Sequence, residues 1–163
     1  MKKTAYIGVY SALSVVLGYL ENLIPLPVNI PGVRIGLSNI CIITALYKMG
    51  APSAFAVALI KALVCGILFW GMQGAVYALF GTFFSFAAML ALKKIKAFSP
   101  IGVSAAGAVF HNLGQLAAVY IFTGSFSAFY YMSVLGLSGA FMGTLTGALS
   151  LTVIKRLEKL KKI

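Results

Sequence analysis

Two ionisable side chains stand in the middle of long apolar runs, where charge is rare. Lys61 lies in the run 52–70. His111 lies in the run 101–122, followed by Asn112 and, one helical turn further on the same face, by Gln115. A charged group at the centre of a membrane-spanning helix costs about 2.5–3.5 kcal/mol, so such groups normally face protein or water and mark functional sites. An ammonium group, an imidazole and two amides are suited to holding a polar or anionic small molecule.

Both ionisable groups are predicted to lie at a similar depth. Each comes about ten residues, or about 15 Å, into a helix that enters from the same side, and this is half of a ~30 Å hydrocarbon layer. At this depth Lys61 either contacts a ligand or bonds the carbonyl groups at a helix end. The His111 group either lines a ligand site or makes hydrogen bonds between helices.

A second set of polar residues is predicted at the outer surface. Glu21 and Asn22 end the first apolar run, and Arg34, Ser38 and Asn39 stand at the start of the second. Glu21 and Arg34 either form the rim of a site or simply pair with each other. The loop between these runs carries three prolines and a glycine, so it is stiff enough to cover a site.

Together these residues predict one cavity that is open to the outside and reaches the midplane. Apolar walls with a few convergent polar groups are typical of small-molecule sites. Two cations against one acid favour an anionic or amphipathic ligand. The predicted substrate-binding residues are Glu21 and Arg34 at the rim, Asn39, Asn112 and Gln115 on the wall, and Lys61 and His111 at the floor.

The composition excludes most soluble domains and most enzymes. Of 163 residues, 61% are hydrophobic and 9% are charged, whereas a water-facing surface needs about 25%. There is no Asp, and Glu21 and Glu158 are the only acids, so neither an Asp-rich metal site nor a catalytic carboxylate pair can form. No Gly-rich phosphate loop ends in Lys-Ser/Thr. We therefore expect a non-enzymatic membrane protein without metal or cofactor. Cys41 and Cys65 lie in apolar runs and are expected to be buried free thiols.

The apolar residues fall into six runs: 4–24, 35–47, 52–70, 74–92, 101–122 and 126–154. A spanning helix needs about 20 residues, so all but the second are long enough. Prolines and glycines separate the runs, with a tight turn predicted at Gly71–Gly74. The expected fold is a single all-α domain over 1–163 with six transmembrane helices.

The cations predict the orientation of this bundle. All but Arg34 and Lys61 fall at the two termini or in the second and fourth connections, which share one side of a six-helix bundle. The positive-inside rule then places both termini in the cytoplasm of a multi-pass protein of the cell membrane. The net charge of +11 is explained by this orientation and by contact with anionic membrane lipid, and it requires no nucleic acid.

Two stripes of small residues could dock a membrane partner or pack within the protein. Thr4, Gly8 and Ala12 recur every four residues in the first run. The stripe in the last run has the same spacing and consists of Gly139, Gly143 and Gly147. Such stripes bring helix backbones close together, within one chain or between chains.

Two segments, 31–40 (PGVRIGLSNI) and 107–115 (GAVFHNLGQ), resemble the signatures of the Gx transporter family, also catalogued as heptaprenyl diphosphate synthase component I. The resemblance implies a six-helix fold similar to the S components of energy-coupling factor (ECF) vitamin transporters. In those proteins the first helix docks the coupling subunit and the first loop closes over the ligand. Here Thr4, Gly8 and Ala12 would take the first role and residues 25–34 the second.

Two functions follow from these observations. The first is an S-component-like subunit that binds a vitamin or similar solute for uptake with an ECF coupling subunit and ATPases. The alternative is a non-catalytic membrane subunit or scaffold that partners a heptaprenyl diphosphate synthase or a flavin-dependent electron-transfer protein. A prenyl diphosphate synthase binds diphosphate through Mg²⁺ held by clustered aspartates, and this chain has none, so it could be only an accessory subunit.

Overall fold

The computed structural model describes residues 2–24, 34–95 and 97–160. Every regular element in these ranges is helical, which confirms the predicted all-α class. The predicted covering loop falls largely at 25–33 and lies outside the described residues. The helices are α1 (Lys2–Leu23), α2 (Asn39–Lys48), α3 (Ala51–Lys94), α4 (Pro100–Thr123) and α5 (Met132–Leu160), with a 3₁₀ helix at Phe126–Tyr131 before α5.

Helix α3 is a hairpin of two helices joined at Gly71. This glycine has φ 68° and ψ −170°, a conformation that side chains with a Cβ rarely adopt. The halves 51–70 (α3a) and 72–94 (α3b) fold back on each other: a Cβ added at Gly66 would lie 2.5 Å from the Cα of Ala75. Near the other end of the hairpin, the rings of Phe55 and Phe86 are 4.9 Å apart. The six predicted apolar runs therefore correspond to six helices.

Four of the helices, with the hairpin counted as one, are long and apolar enough to cross a membrane. Helix α2 is the exception. It has 10 residues and is about 15 Å long, half of a ~30 Å layer. By length and composition these helices are suited to a membrane, and the second helix is as short as the sequence predicts.

Three predicted boundaries are corrected. Helix α2 begins at Asn39 instead of residue 35, because Gly36 has φ 82° and the backbone N–H groups of Gly36 and Leu37 bond a side chain of α1. The break in the hairpin is confined to Gly71, and the helix resumes at residue 72. The last run starts as a 3₁₀ helix, and α5 itself begins at Met132.

Side-chain contacts sort the helix ends into two groups. At one end, which we call the basic end, Nζ of Lys48 lies 2.7 Å from Oε1 of Glu158 and Nζ of Lys93 donates to the carbonyl of Leu46. These contacts join the C-termini of α2, α3b and α5. At the opposite end, which we call the Arg34 end, the guanidinium of Arg34 lies over the ring of Trp70 at the C-terminus of α3a.

The hydrophobic core lies toward the basic end. It joins α2, α3, α4 and, through Ile154, α5, and its fully enclosed residues include Ile43, Leu46 and Val57. Phe86 and Met89 belong to this core and also line the cavity described below. The core therefore closes the inner end of that cavity.

Close packing of α4 against α5 uses the predicted glycine stripe. A Cβ added at Gly143 would lie 2.7 Å from the Cα of Ala105, and one added at Gly147 would lie 2.7 Å from the Cα of Ile101. A Cβ added at Gly139 would instead lie 2.9 Å from the side-chain amide nitrogen of Asn112. The stripe Gly139, Gly143 and Gly147 is thus buried inside the bundle, so of the two predicted alternatives it follows packing within the protein.

The stripe on α1 behaves differently. Thr4, Gly8 and Ala12 are exposed, and nothing lies within 4 Å of a Cβ added at Gly8. This face of α1 is therefore open along the described chain.

Candidate ligand-binding cavity

A cavity of about 1140 Å³ runs through the helical bundle. All five helices and the 3₁₀ helix contribute to its lining. Lining residues at the Arg34 end, such as Asn22, Trp70 and Tyr131, are exposed, whereas Phe86 and Met89 at the inner end are buried. Within the described ranges, the cavity therefore extends from the Arg34 end toward the basic end.

The cavity brings the predicted site residues together. They come from α1, the turn before α2, α2 itself, α3a and α4, and each of them lines this cavity. The seven residues are Glu21, Arg34, Asn39, Lys61, His111, Asn112 and Gln115.

Glu21 holds the turn before α2. Its Oε1 accepts a hydrogen bond from the backbone N–H of Gly36 at 2.7 Å, and its Oε2 accepts one from Leu37 at 3.1 Å. The ion pairs formed between described residues do not include Glu21 with Arg34, so the predicted pairing alternative is replaced by this contact with the backbone. Glu21 therefore ties the end of α1 to the start of α2 and fixes the rim.

Arg34 is the rim cation. Its guanidinium carbon lies 5.1 Å from the centroid of the Trp70 ring, within cation–π distance. Desolvation by the surrounding protein lowers the pKa of Arg34, and the Glu21 carboxylate opposes this shift. The guanidinium remains protonated in any case, because arginine keeps its proton at physiological pH.

Lys61 reaches the cavity from α3a and is half-buried. Between described residues, its ammonium group makes no hydrogen bond and no ion pair, so the alternative of a lysine bonded to helix-end carbonyls has no support there. The charges that act on it include Arg34 and, with opposite sign, Glu21. A second cation thus lines the cavity inside the bundle without a hydrogen-bond or ion-pair partner among the described residues.

The three polar residues of α4 have different environments. The His111 ring lies against Gly81 of α3b and interacts with its backbone. The amide of Asn112 donates to the carbonyl of Leu135 at 2.8 Å, which joins α4 to the first turn of α5. Gln115 lines the cavity without a hydrogen bond to any described residue. His111 and Asn112 are therefore held in place, and Gln115 remains available to a ligand.

The structure adds aromatic and hydroxyl residues that sequence reasoning missed. Trp70 and Tyr77 line the outer part of the cavity, and Thr82 and Ser85 lie further in. Trp70 is the only tryptophan of the chain and ends an apolar run, a position typical of residues at a membrane interface, and this could have signalled its place at the rim.

The two cysteines are free and buried, which confirms that prediction. Cys65 also lines the cavity, one helical turn from Lys61. The described residues form no group of three or more His, Cys, Asp or Glu side chains that could hold a metal ion.

Comparison with known proteins identifies the family of this chain. A family model described as heptaprenyl diphosphate synthase component I matches residues 10–153. No curated protein and no solved structure matches the chain. The matched residues include all of α2, α3a, α3b and α4, most of α1 and α5, and every polar residue that lines the cavity. The chain belongs to the heptaprenyl diphosphate synthase component I family.

Proposed function

We propose that this chain is a non-catalytic membrane subunit of a heptaprenyl diphosphate synthase system and that its cavity binds an anionic ligand. The cavity is the observation that carries the binding role, because it gathers Arg34, Lys61 and several amides inside an apolar bundle. The family match supports the synthase as the partner.

The chemistry of the chain supports an accessory role. Synthesis of a prenyl diphosphate needs clustered carboxylates that hold Mg²⁺ on the diphosphate, because hard cations prefer oxygen ligands. The chain has no Asp, and its two glutamates stand at opposite ends of the bundle. The catalytic carboxylates would belong to a partner, and this chain would bind, present or retain a ligand at the membrane.

We also propose six membrane crossings, with the basic end in the cytoplasm of the cell. Folding α3 into a hairpin gives six helices, and an even number of crossings brings both termini to one side. The lysines at the ends of α2, α3b and α5 share one end of the bundle, and positively charged ends favour the cytoplasmic side. The mouth of the cavity then faces the outside.

A second function, an S-component-like subunit for solute uptake, is favoured by the exposed face of α1. Thr4, Gly8 and Ala12 leave a smooth stripe on which another membrane helix could pack closely. In this case the cavity would hold the transported solute, and the partners would be an ECF coupling subunit and its ATPases. The same stripe could equally receive the membrane part of a flavoprotein partner.

Affinity purification of the tagged protein from native membranes tests these proposals. We expect to recover a prenyl diphosphate synthase catalytic subunit. Recovery of ECF ATPases instead would favour uptake, and recovery of neither would contradict both. The variant Gly8→Leu tests docking on the α1 stripe. It should release a partner bound there without unfolding the subunit, because position 8 has room for a side chain.

A further inference from the structure

We infer that the cavity binds an amphiphile in one orientation, with an anionic head between Arg34 and Lys61 and an apolar chain directed toward the basic end. This inference rests on the proposed function, because it assumes that the cavity is a binding site. It adds the class of the ligand and its direction in the bundle.

The charges that line the cavity are confined to its outer half. Arg34 stands at the mouth. Lys61 lies nine residues before the end of α3a at Trp70, about 14 Å into the bundle at 1.5 Å per residue. Beyond that depth, no described lining residue carries a formal charge. An anionic group is therefore stabilised only in the outer half.

The inner half is lined mainly by apolar side chains and glycine. Phe86 and Met89 on α3b, Ala58 on α3a and Met142 on α5 line it together with Gly107. Met89 lies about 27 Å along α3b from Gly71, so the cavity is deep as well as wide. The shape and chemistry of this half suit a hydrocarbon chain.

Two threonine hydroxyl groups of the inner half are used within the protein, whereas the Ser85 hydroxyl has no hydrogen-bond partner among the described residues. The Thr82 hydroxyl donates to the carbonyl of Ala78 at 2.7 Å in its own helix. The Thr146 hydroxyl donates to the carbonyl of Met142 at 3.1 Å and lies 3.2 Å from the Ser104 hydroxyl. A polar ligand would find few free donors there.

The ammonium group of Lys61 requires a negatively charged partner. Its ammonium group has no hydrogen-bond or ion-pair partner between described residues, and an uncompensated charge in an apolar bundle is costly. Glu21 is already engaged by two backbone N–H groups. A ligand with an anionic head would supply the missing counter-ion, and Gln115 could donate a hydrogen bond to it.

Neither a wholly polar nor a wholly apolar ligand satisfies both halves. A small hydrophilic anion would pair with Lys61 but leave the apolar inner surface wet, whereas a neutral hydrocarbon would leave Lys61 unpaired. A cavity of about 1140 Å³ is large enough for an extended amphiphile, because drug-sized ligands occupy about 300–1,000 Å³. A prenyl diphosphate has both parts and belongs to the chemistry that the family name gives.

Binding to the purified, detergent-solubilised protein tests this class. The probes are inorganic diphosphate, a C5 prenyl diphosphate, a C15 prenyl diphosphate and the C15 prenyl alcohol, measured by calorimetry and by thermal stabilisation. We expect the C15 diphosphate to bind at least tenfold more tightly than each of the others, because only it fills the inner half and also pairs with Lys61.

Two variants separate the head from the chain. Lys61→Met should weaken binding of both prenyl diphosphates at least tenfold, whereas Lys94→Met, on the exposed end of the same hairpin, should not. Met142→Trp should fill part of the inner half and reduce the C15 affinity toward the C5 value, with C5 binding unchanged. Leu145→Trp adds the same ring on the exposed face of α5 and should change neither affinity.

Failure of the inferred ligand orientation can be distinguished from failure of the proposed function. If inorganic diphosphate binds as tightly as the C15 compound and Met142→Trp has no effect, the chain-in orientation is wrong while an anion site remains. If no probe binds to folded protein, the inference is wrong, and co-purification with the synthase decides the function separately. If Met142→Trp does not fold, the comparison of C5 with C15 in the wild type still decides.

Discussion

The His111 ring and Gly81 are in direct contact across the interface of α3b and α4. A Cβ added at position 81 would lie 2.8 Å from Cε1 and 2.9 Å from Nδ1 of His111. One turn further along α4, a Cβ added at Gly114 would lie 2.7 Å from the carbonyl oxygen of Phe80. The two backbones approach so closely that glycine at 81 and 114 fixes where the imidazole enters the cavity.

Gly81→Ala should therefore displace the His111 ring and destabilise the protein. Overpacking of this kind typically costs about 1–3 kcal/mol. We expect a lower melting temperature in detergent and weaker ligand binding. Gly8→Ala is the control, because position 8 has open space around it, and it should leave both quantities unchanged. Equal stability of the two variants would contradict this tight contact.

Lys61→Met should make the ligand-free protein more stable while it weakens binding. The charge has no hydrogen-bond or ion-pair partner among the described residues, and removing a charge from the membrane interior is worth up to about 3 kcal/mol. Thermal unfolding without ligand measures the gain. A loss of stability in Lys61→Met, with Lys94→Met unchanged, would mean that the ammonium group has a structural partner.

Glu21→Ala should loosen the turn before α2 and lower stability by about 1–3 kcal/mol, because two backbone N–H groups lose a charged acceptor. Glu21→Gln keeps one acceptor oxygen and should lose less. Hydrogen exchange of the Gly36 and Leu37 amides measures the effect locally. Unchanged protection of both amides in Glu21→Ala would show that other contacts hold the turn.

Cysteine labelling in cells should report opposite sides for the two ends of the bundle. In a Cys41→Ala/Cys65→Ala background, Ser125→Cys after α4 should react with a membrane-impermeant maleimide added outside. Lys94→Cys at the end of α3b should react only after the membrane is permeabilised. Labelling of Lys94→Cys from outside would reverse the proposed orientation, and equal labelling of both would contradict six crossings.

Substituting Lys48 should have little effect on stability despite its contact with Glu158. The Lys48 side chain is partly exposed and the Glu158 side chain is largely exposed. Exposed ion pairs contribute about 0–1 kcal/mol to the free energy of unfolding. Lys48→Ala is therefore expected to melt close to the wild-type temperature in 0.15 M salt. A much larger loss would show that this pair holds the ends of α2 and α5 together.

Much of the cavity could be predicted from sequence because charge is so unfavourable in an apolar run. Lys61 and His111 stand out for that reason, and their depths follow from the helical rise alone. Gln115 follows from its position one turn from His111. Trp70 does not stand out by this argument, because an aromatic residue is not unfavourable in an apolar run; only its position as the single tryptophan at the end of a run pointed to the rim.

The two glycine stripes could not be told apart from the sequence. Gly8 and Gly143 both stand in runs of small residues spaced by four, yet Gly143 meets the backbone of α4 and Gly8 meets nothing within 4 Å. The spacing predicts that the small residues share one face of each helix, but it does not predict whether another helix packs against that face. Likewise, Glu21 could have paired with Arg34, and only the folded turn gives its carboxylate to the backbone of Gly36 and Leu37.

The sequence by itself determined the helical class, the apolar runs, the absence of aspartate chemistry and the identity of seven of the residues that line the cavity. These features depend on composition and on local periodicity, which can be read within a single helix. The tertiary structure decided which stripe is buried, which partner Glu21 takes, and that the charges occupy only one half of a deep cavity. Those features depend on how separate helices pack, and packing is set by contacts between residues far apart in the chain.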